Sequence, residues 1–580
     1  MKNFITDFIT RRYSVRPLED KSHTLWGAFS FGEKWIVAIL IILFVGSGIG
    51  LLFKVSNAFL IEVPEYGGTI TEGIVGVPRF INPLLAISDA DKDLTYLTYS
   101  GLLKATPEGG LTTDLAKEWH ISENGLTYTF ILKDNIFFHD GTPITTDDIE
   151  FTIQKAIDPL LKSPRRSNWE GVTVNKISPT EISFSLKQPY SPFTENLTLG
   201  ILPKHIWKNA SSDEFAFSEY NISPIGSGPY KIQDVKRNSA GLPTSFTLTS
   251  FADYSLGKPF VKEISIKIFQ NEQEVVQAWE NETVESISGI SAEKIAELNT
   301  EYFTLYNASL PRIFGVFFNQ NQAQVFLHKE VREALELATH KEEIVRSTLL
   351  GYGTVIDSPL PYFITSKTPE ITTSTSSIEK ALALLDKNGW KKNAEGIMQK
   401  KNEVLSFSLS TGDAPELKKT AGLLQNMWKE IGVSLEIKVF ESGDLNQNII
   451  RPRKFDSLLF GMVVGRDADL FPFWHSSQRN DPGLNIALYT NITTDKILEN
   501  IRITSSEDKK KELYKNFEIE IAKDTPAIFL YSPDFMYILP EHIQNVELGH
   551  VQNPSERFLN VHSWFIETNK VWKIFTSQEQ

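Results

Sequence analysis

Residues 114–148 read DLAKEWHISENGLTYTFILKDNIFFHDGTPITTDD, and they pass within one short span from strand patterning to helix patterning. Leu126, Tyr128, Phe130 and Leu132 alternate with Thr127 and Thr129, the period of a half-buried strand. The span 134–143 is rich in turn formers, with Asn135, Gly141 and Pro143. A helix follows. Thr145 or Thr146 is placed to cap it, and Asp147 and Asp148 stand in the first turn, where negative charge suits the helix dipole. Ile149, Ile153, Ala156 and Ile157 form its apolar stripe, and Asp158-Pro159 ends it.

The same mixture extends outward. Strand-like runs occur at 181–186, 245–249 and 263–269. The run 313–318 is nearly continuous in apolar character, as a strand covered on both faces requires. Helical spacing predicts elements at 330–339, 341–350, 377–388 and 415–431. The last lies between strands at 404–410 and 434–439, a βαβ order that implies a partly parallel sheet. The tail after Ile566 is polar and expected to fray.

With 580 residues, a length prior suggests about four structural units. Hydrophobic residues at 41% and charged residues at 22% exclude wholesale disorder and a transporter of many spans. Lys and Arg number 58 against 72 Asp and Glu, a formal net charge of −14, so a general nucleic-acid partner is not expected. Cysteine is absent, which removes disulfides, thiolate metal sites, cysteine nucleophiles and lipid attachment through a thiol.

One segment stands apart. Residues 35–53, WIVAILIILFVGSGIGLLF, carry no charge and as a helix span roughly 28 Å, enough to cross a bilayer core. Lys2, Arg11, Arg12, Arg16, Lys21 and Lys34 precede it, whereas Glu62 and Glu65 follow. The positive-inside rule therefore puts the leader 1–34 in the cytoplasm and the bulk of the chain outside, on a single-pass cell-membrane anchor. Cleavage after Ala58 is the rival reading, since Ser56-Asn57-Ala58 supplies small residues. The apolar run exceeds an ordinary signal-peptide core, which favours an uncleaved anchor.

Enzyme motifs give little. The one Gly-Lys pair, Gly257-Lys258, precedes Pro259 rather than Ser or Thr, and no G-x-G-x-x-G, G-x-S-x-G or H-E-x-x-H occurs. His139-Asp140 has the look of a catalytic or metal pair, but its place in a turn before a helix favours a structural role. No catalytic residue, metal ligand or cofactor is expected.

Asp114 to Trp119, the strand LTYTF at 126–130, Phe138-His139-Asp140-Gly141-Thr142-Pro143 and the acidic pair Asp147-Asp148 strongly resemble the signature of the family 5 extracellular solute-binding proteins. These are the peptide- and nickel-binding components of ABC importers. Further pieces fall in that family's order. They are Gly226-Ser227-Gly228-Pro229-Tyr230, FADYSLGKP at 251–259, Val331-Arg332-Glu333-Ala334-Leu335, ALALLDKNGW at 381–390 and Asp524-Thr525-Pro526-Ala527-Ile528. The resemblance covers roughly 65–570. It implies an α/β, two-lobed, periplasmic-binding-protein-like fold of the large peptide-binding subclass (type II), here preceded by one transmembrane helix. It also implies hinge crossings near 308–311 and 524–527, with lobe I at 64–310 plus 526–570 and lobe II at 311–525. An oligopeptide or peptide-like small solute and ABC permease subunits are the implied partners.

In peptide binders of the family an acidic residue after a Trp captures the peptide amino group. Here Met462 stands where Trp is usual and Gly465 where the acid is expected, so Asp467 or Asp469 takes the role, or no residue does. The resemblance further implicates Phe318 and Asn319 beside the hinge, and Asn82 and Tyr99 on the first lobe. Trp474, with Phe473, is a candidate aromatic wall, and Arg466 a candidate carboxylate partner. A tethered receptor or sensor of the same fold, working without transport, and an extracytoplasmic hydrolase are the alternatives.

Overall fold

The computed structural model describes residues 30–298, 303–360, 377–504 and 506–572. The large compact unit is Tyr66–Glu567. The small one holds helix α1 (Phe31–Phe59) and strand β1 (Leu60–Glu65), which pairs with the final strand, Glu567–Trp572. The expected frayed tail is thus strand as far as Trp572. Within α1, Phe31–Ser56 is long and apolar enough to cross a membrane.

The large unit is an α/β structure of two lobes built on one twelve-stranded sheet. In lobe I, β2 (Gly67–Val75) is followed by α2 (Asp89–Thr98), whose N-cap Ser88 and Asp91 form a capping box. A four-stranded antiparallel sheet then comprises β3 (Ala116–Ile121), β4 (Thr127–Leu132), β5 (Thr173–Lys176) and β6 (Glu181–Ser185) in the order β3-β4-β6-β5. Tyr128, Phe130 and Leu132 of β4 point into its core, as the alternation requires. Helix α3 (Thr146–Ile157) covers it, with Thr145 as N-cap and Asp148 closing the capping box. The main sheet resumes with β7 (Tyr230–Arg237), β8 (Pro243–Ser250), β9 (Val261–Phe269), β10 (Ser286–Ser288) and β11 (Thr304–Ser309).

Lobe II begins with β12 (Arg312–Phe318). Val316 and Phe318 enter one core while Ile313 and Phe317 enter another on the opposite face. This is the doubly covered strand that its apolar run predicts. Helices α4 (Lys329–Leu337) and α5 (Lys341–Thr348), strand β13 (Gly353–Val355) and α6 (Ile378–Lys387) follow. The βαβ unit is β14 (Ser406–Gly412), α7 (Pro415–Glu430) and β15 (Ser434–Phe440), with β14 and β15 parallel. Then come β16 (Ser457–Val463), α8 (Ile492–Ile503), α9 (Glu507–Asp524) and the thirteen-residue β17 (Ala527–Leu539).

Strand β17 belongs to both lobes. Ala527 to Tyr531 pair with β12, and Asp534 to Leu539 pair with β11. Ser532 and Pro533 pair with β13, so the registers put the passage between half-sheets at Pro533-Asp534, downstream of the 524–527 stretch read from the sequence. The other passage is Leu310-Pro311, and the two are tied: Leu310 N donates to Pro533 O at 3.1 Å, and Ser532 Oγ donates to Leu310 O.

A buried ion cluster fixes the chain's last segment to lobe I. The Arg557 guanidinium, fully buried, donates to both Asp93 oxygens at 2.8 Å and to Glu72 Oε1 at 2.8 Å, while Tyr537 OH donates to Glu72 Oε2 at 2.7 Å. Burial raises the pKa of both carboxyls against the pull of Arg557. Replacing Arg557 by Leu strands two carboxyls in the core, and urea unfolding should show a loss of about 3–5 kcal/mol. Adding Glu72→Gln and Asp93→Asn to the same chain should recover part of that loss.

Candidate functional site

The signature residues of the sequence build a scaffold. His139 Nε2 lies 3.1 Å from Gly228 O, Gly226 N donates to His139 Nδ1 at 3.3 Å, and the His139 ring meets Phe251 edge-on. Burial lowers the His139 pKa to about 4, so the ring is neutral and its partners are backbone groups. A Cβ on Gly226 would stand 1.8 Å from Thr98 O, and one on Gly228 2.6 Å from Thr98 C, so only glycine admits the end of α2 here. The histidine motif and the glycine motif thus clamp α2 in place.

The C-terminal half of α2 forms a wall of a cavity of about 430 Å³ between the lobes. Tyr99, Lys104, Glu195 and Glu556 come from lobe I and Val463 from the end of β16. Four side chains that line it, Thr95, Tyr96, Tyr99 and Gln552, each carry a buried polar atom with no hydrogen-bond partner among the described residues. Orphaned polar atoms of this kind are costly unless a guest or solvent satisfies them. Lys104 donates to Tyr254 OH at 3.1 Å, and burial lowers its pKa to about 8 although Asp114 opposes the shift. A second cavity of about 480 Å³ adjoins along the cleft. Pro554 lines it, while Asn553 and Ser555 line the first. It is walled by Arg312, Phe314 and Tyr531 at the hinge and is predominantly acidic, with Asp89, Glu272, Glu293, Glu416 and Asp534 against Arg312 and Lys419.

The site residues read from the sequence divide sharply. Tyr99, 6% exposed, lines the first cavity. Asn82 is buried, bonding Asn221 and the Leu84 amide. Phe318 lies in the lobe II core, and Asn319 is buried and holds Arg453 O at 3.0 Å. Trp474 is 1% exposed in the other lobe II core. Arg466 reaches across to lobe I, donating to Glu556 Oε2 at 2.7 Å and His550 O at 3.3 Å, with Glu195 at 3.8 Å. Asp469 binds Arg502 through both oxygens at 2.6 and 2.9 Å and accepts from Tyr190 OH of lobe I at 3.2 Å. Asp467 faces Lys510 within lobe II at 3.6 Å, and burial raises its pKa. Sequence reading missed Thr95, Tyr96, Lys104, Glu195, Gln552 and Glu556. Of these only Thr95 and Tyr96 carried a signal, as neighbours of Tyr99 one helical turn away.

A two-lobed α/β chain with polar cavities in the cleft defines the class, a protein that encloses something between its halves. Residues 110–482 match the bacterial extracellular solute-binding proteins, family 5 (middle), and the chain belongs to that family. It is 28% identical over 514 residues to the oligopeptide-binding protein AppA of Bacillus subtilis, covering 87% of this chain and 92% of the relative. The structure of that AppA in complex with a nonapeptide superposes with a TM-score of 0.67 at 26% identity, over 87% of this chain and all (100%) of that one. NikZ from Campylobacter jejuni, in complex with Ni(L-His), gives 0.68 at 27% identity, over 86% and 99%.

Burial pushes the Glu195 carboxyl up to about 7 despite Arg466 nearby. A carboxyl whose folded pKa exceeds its unfolded value binds its proton more tightly in the folded state, so its stabilising contribution declines as pH rises from about 4.5 to 7. The melting temperature of wild type minus that of Glu195→Gln should therefore fall between pH 5 and pH 7 and then level off. A difference that is flat with pH would contradict the assignment.

Proposed function

We propose that the protein is the membrane-tethered receptor subunit of an ABC importer, capturing a peptide-like solute between its lobes outside the cytoplasmic membrane. The observation that carries this reading is the cavity on α2, lined by hydroxyls and an amide that have no partner among the described residues. Such groups suit the amides of a peptide backbone, and closure around them excludes water and strengthens each polar contact. The nonapeptide complex of the Bacillus subtilis relative supports the same class of solute. Among the candidate residues, Tyr99 contacts the solute, Asn82, Phe318, Asn319 and Trp474 support the walls, and Arg466, Asp467 and Asp469 act at the lobe boundary. Lobe I is 66–310 with 534–567, and lobe II 311–533. Helix α1 is the tether, its basic leader inside and the lobes outside.

Two measurements test the reading. Native mass spectrometry of the full-length chain released from detergent should show a bound mass, and mixed tri- to nonapeptides should raise the melting temperature. Saturation at 100-fold over Kd is worth about 2.7 kcal/mol. A thermal response to Ni(II)-histidine and none to peptides would move the solute to metal chelates. No response to either would remove the importer reading. For the tether, the cysteine-free chain permits clean labelling. In intact cells an impermeant maleimide should label Glu123→Cys and not Lys21→Cys.

A further inference from the structure

Arg466 sits where lobe II meets lobe I, two residues beyond the backbone that touches the hinge: Val464 N donates to Pro311 O at 2.9 Å. Its side chain is 5% exposed and faces two carboxylates of the opposite lobe, Glu556 at 10% and Glu195 at 26% exposure. Both acids line the solute cavity. Glu556 is held from behind, accepting from Gln552 N at 2.8 Å, and its neighbour Arg557 is locked in the ion cluster. A second cross-lobe group lies alongside: Asp469 accepts from Tyr190 OH, and Ser191 N donates to Arg502 O at 2.9 Å.

Two carboxylates converging on a solute cavity form a receptor for a cation, and here the chain supplies that cation itself. An incoming amine would have to displace a guanidinium already desolvated and hydrogen-bonded, leaving Arg466 buried with His550 O but without its carboxylates. We propose that Arg466 is an internal stand-in for a cationic solute group: by occupying the Glu195–Glu556 pair of lobe I it latches the lobes and restricts that end of the cavity to solutes without an amine or guanidine there. The inference rests on the cleft being the solute site. It directs a peptide's amino terminus toward the second, acidic cavity.

The test uses the full-length chain in detergent micelles, with spin labels at Lys187→Cys and Lys496→Cys. Both positions are exposed, one on each lobe, and the chain has no other cysteine. Arg466→Ala should lengthen the interlobe distance, with a closed-to-open ratio roughly tenfold lower than wild type. Millimolar methylguanidinium chloride should restore the short distance in that variant and leave wild type unchanged. Glu195→Gln combined with Glu556→Gln should open the lobes from the other side and give no response to methylguanidinium. This second variant reads the latch even where Arg466→Ala fails to fold. Wild-type distances in either variant, no rescue in Arg466→Ala, or equal rescue in the double variant would overturn the latch. Peptide-dependent closure in those same variants would leave the importer reading standing, so the two failures are distinguishable.

Discussion

The geometry of the cleft depends on one buried cation. Arg557 gathers Glu72 from β2, Asp93 from α2 and, through Glu72, Tyr537 from β17. β2 and α2 are consecutive in the chain, whereas Tyr537 and Arg557 lie more than 400 positions further on. Two carboxylates out of water would repel one another. The guanidinium's planar fork answers both at once, which a point-like ammonium cannot do. The cluster sets the position of α2, whose polar side chains line the first cavity. It also sets the position of the 553–556 segment that separates that cavity from its neighbour. Glu556 faces Arg466 because Arg557, one residue on, is committed in the other direction.

Charge in the cleft is arranged as local neutralisation rather than as a field of one sign. Lys104 has Asp114 and Tyr254, Asp469 has Arg502 and Tyr190, and Arg466 has Glu556 and Glu195. The groups in the first cavity left without partners among the described residues are neutral hydroxyls and an amide. On the proposed reading, a guest there is recognised mainly by hydrogen-bonding pattern and shape. The hinge cavity differs: its acids outnumber its bases, and burial raises the pKa of Asp534. The cleft thus has polarity along its length, which favours one orientation of an asymmetric guest.

Much of this architecture is legible in the sequence because it rests on short-range periodicity. The helix expected at 415–431 is Pro415–Glu430, and the strand expected at 313–318 is Arg312–Phe318. The family signature is legible because His139, Gly226 and Gly228 meet steric and hydrogen-bonding demands that few residues satisfy. The cavity was mostly not legible. Arg466 and Glu556 are 90 positions apart and Arg557 and Glu72 are 485, and neither pairing leaves a local pattern. Trp474 reads as a candidate aromatic wall and lies in a core, since a large apolar side chain is ambiguous between the two uses. The lobe passage inside β17 escaped because a strand that changes partners midway continues its own alternation. Only Pro533, which lacks an amide hydrogen, marks the place.

That shared strand carries a consequence for biogenesis. Ala527–Leu539 completes the half-sheets of both lobes, yet it follows in the chain every other strand of the sheet it joins. Neither half can close its hydrogen-bond ladder before that strand has been made. Earlier strands wait with open edges, the condition in which chains aggregate or swap partners. Maturation is therefore a single late event, and a stop codon anywhere upstream of residue 527 leaves two unfinished lobes instead of one sound half.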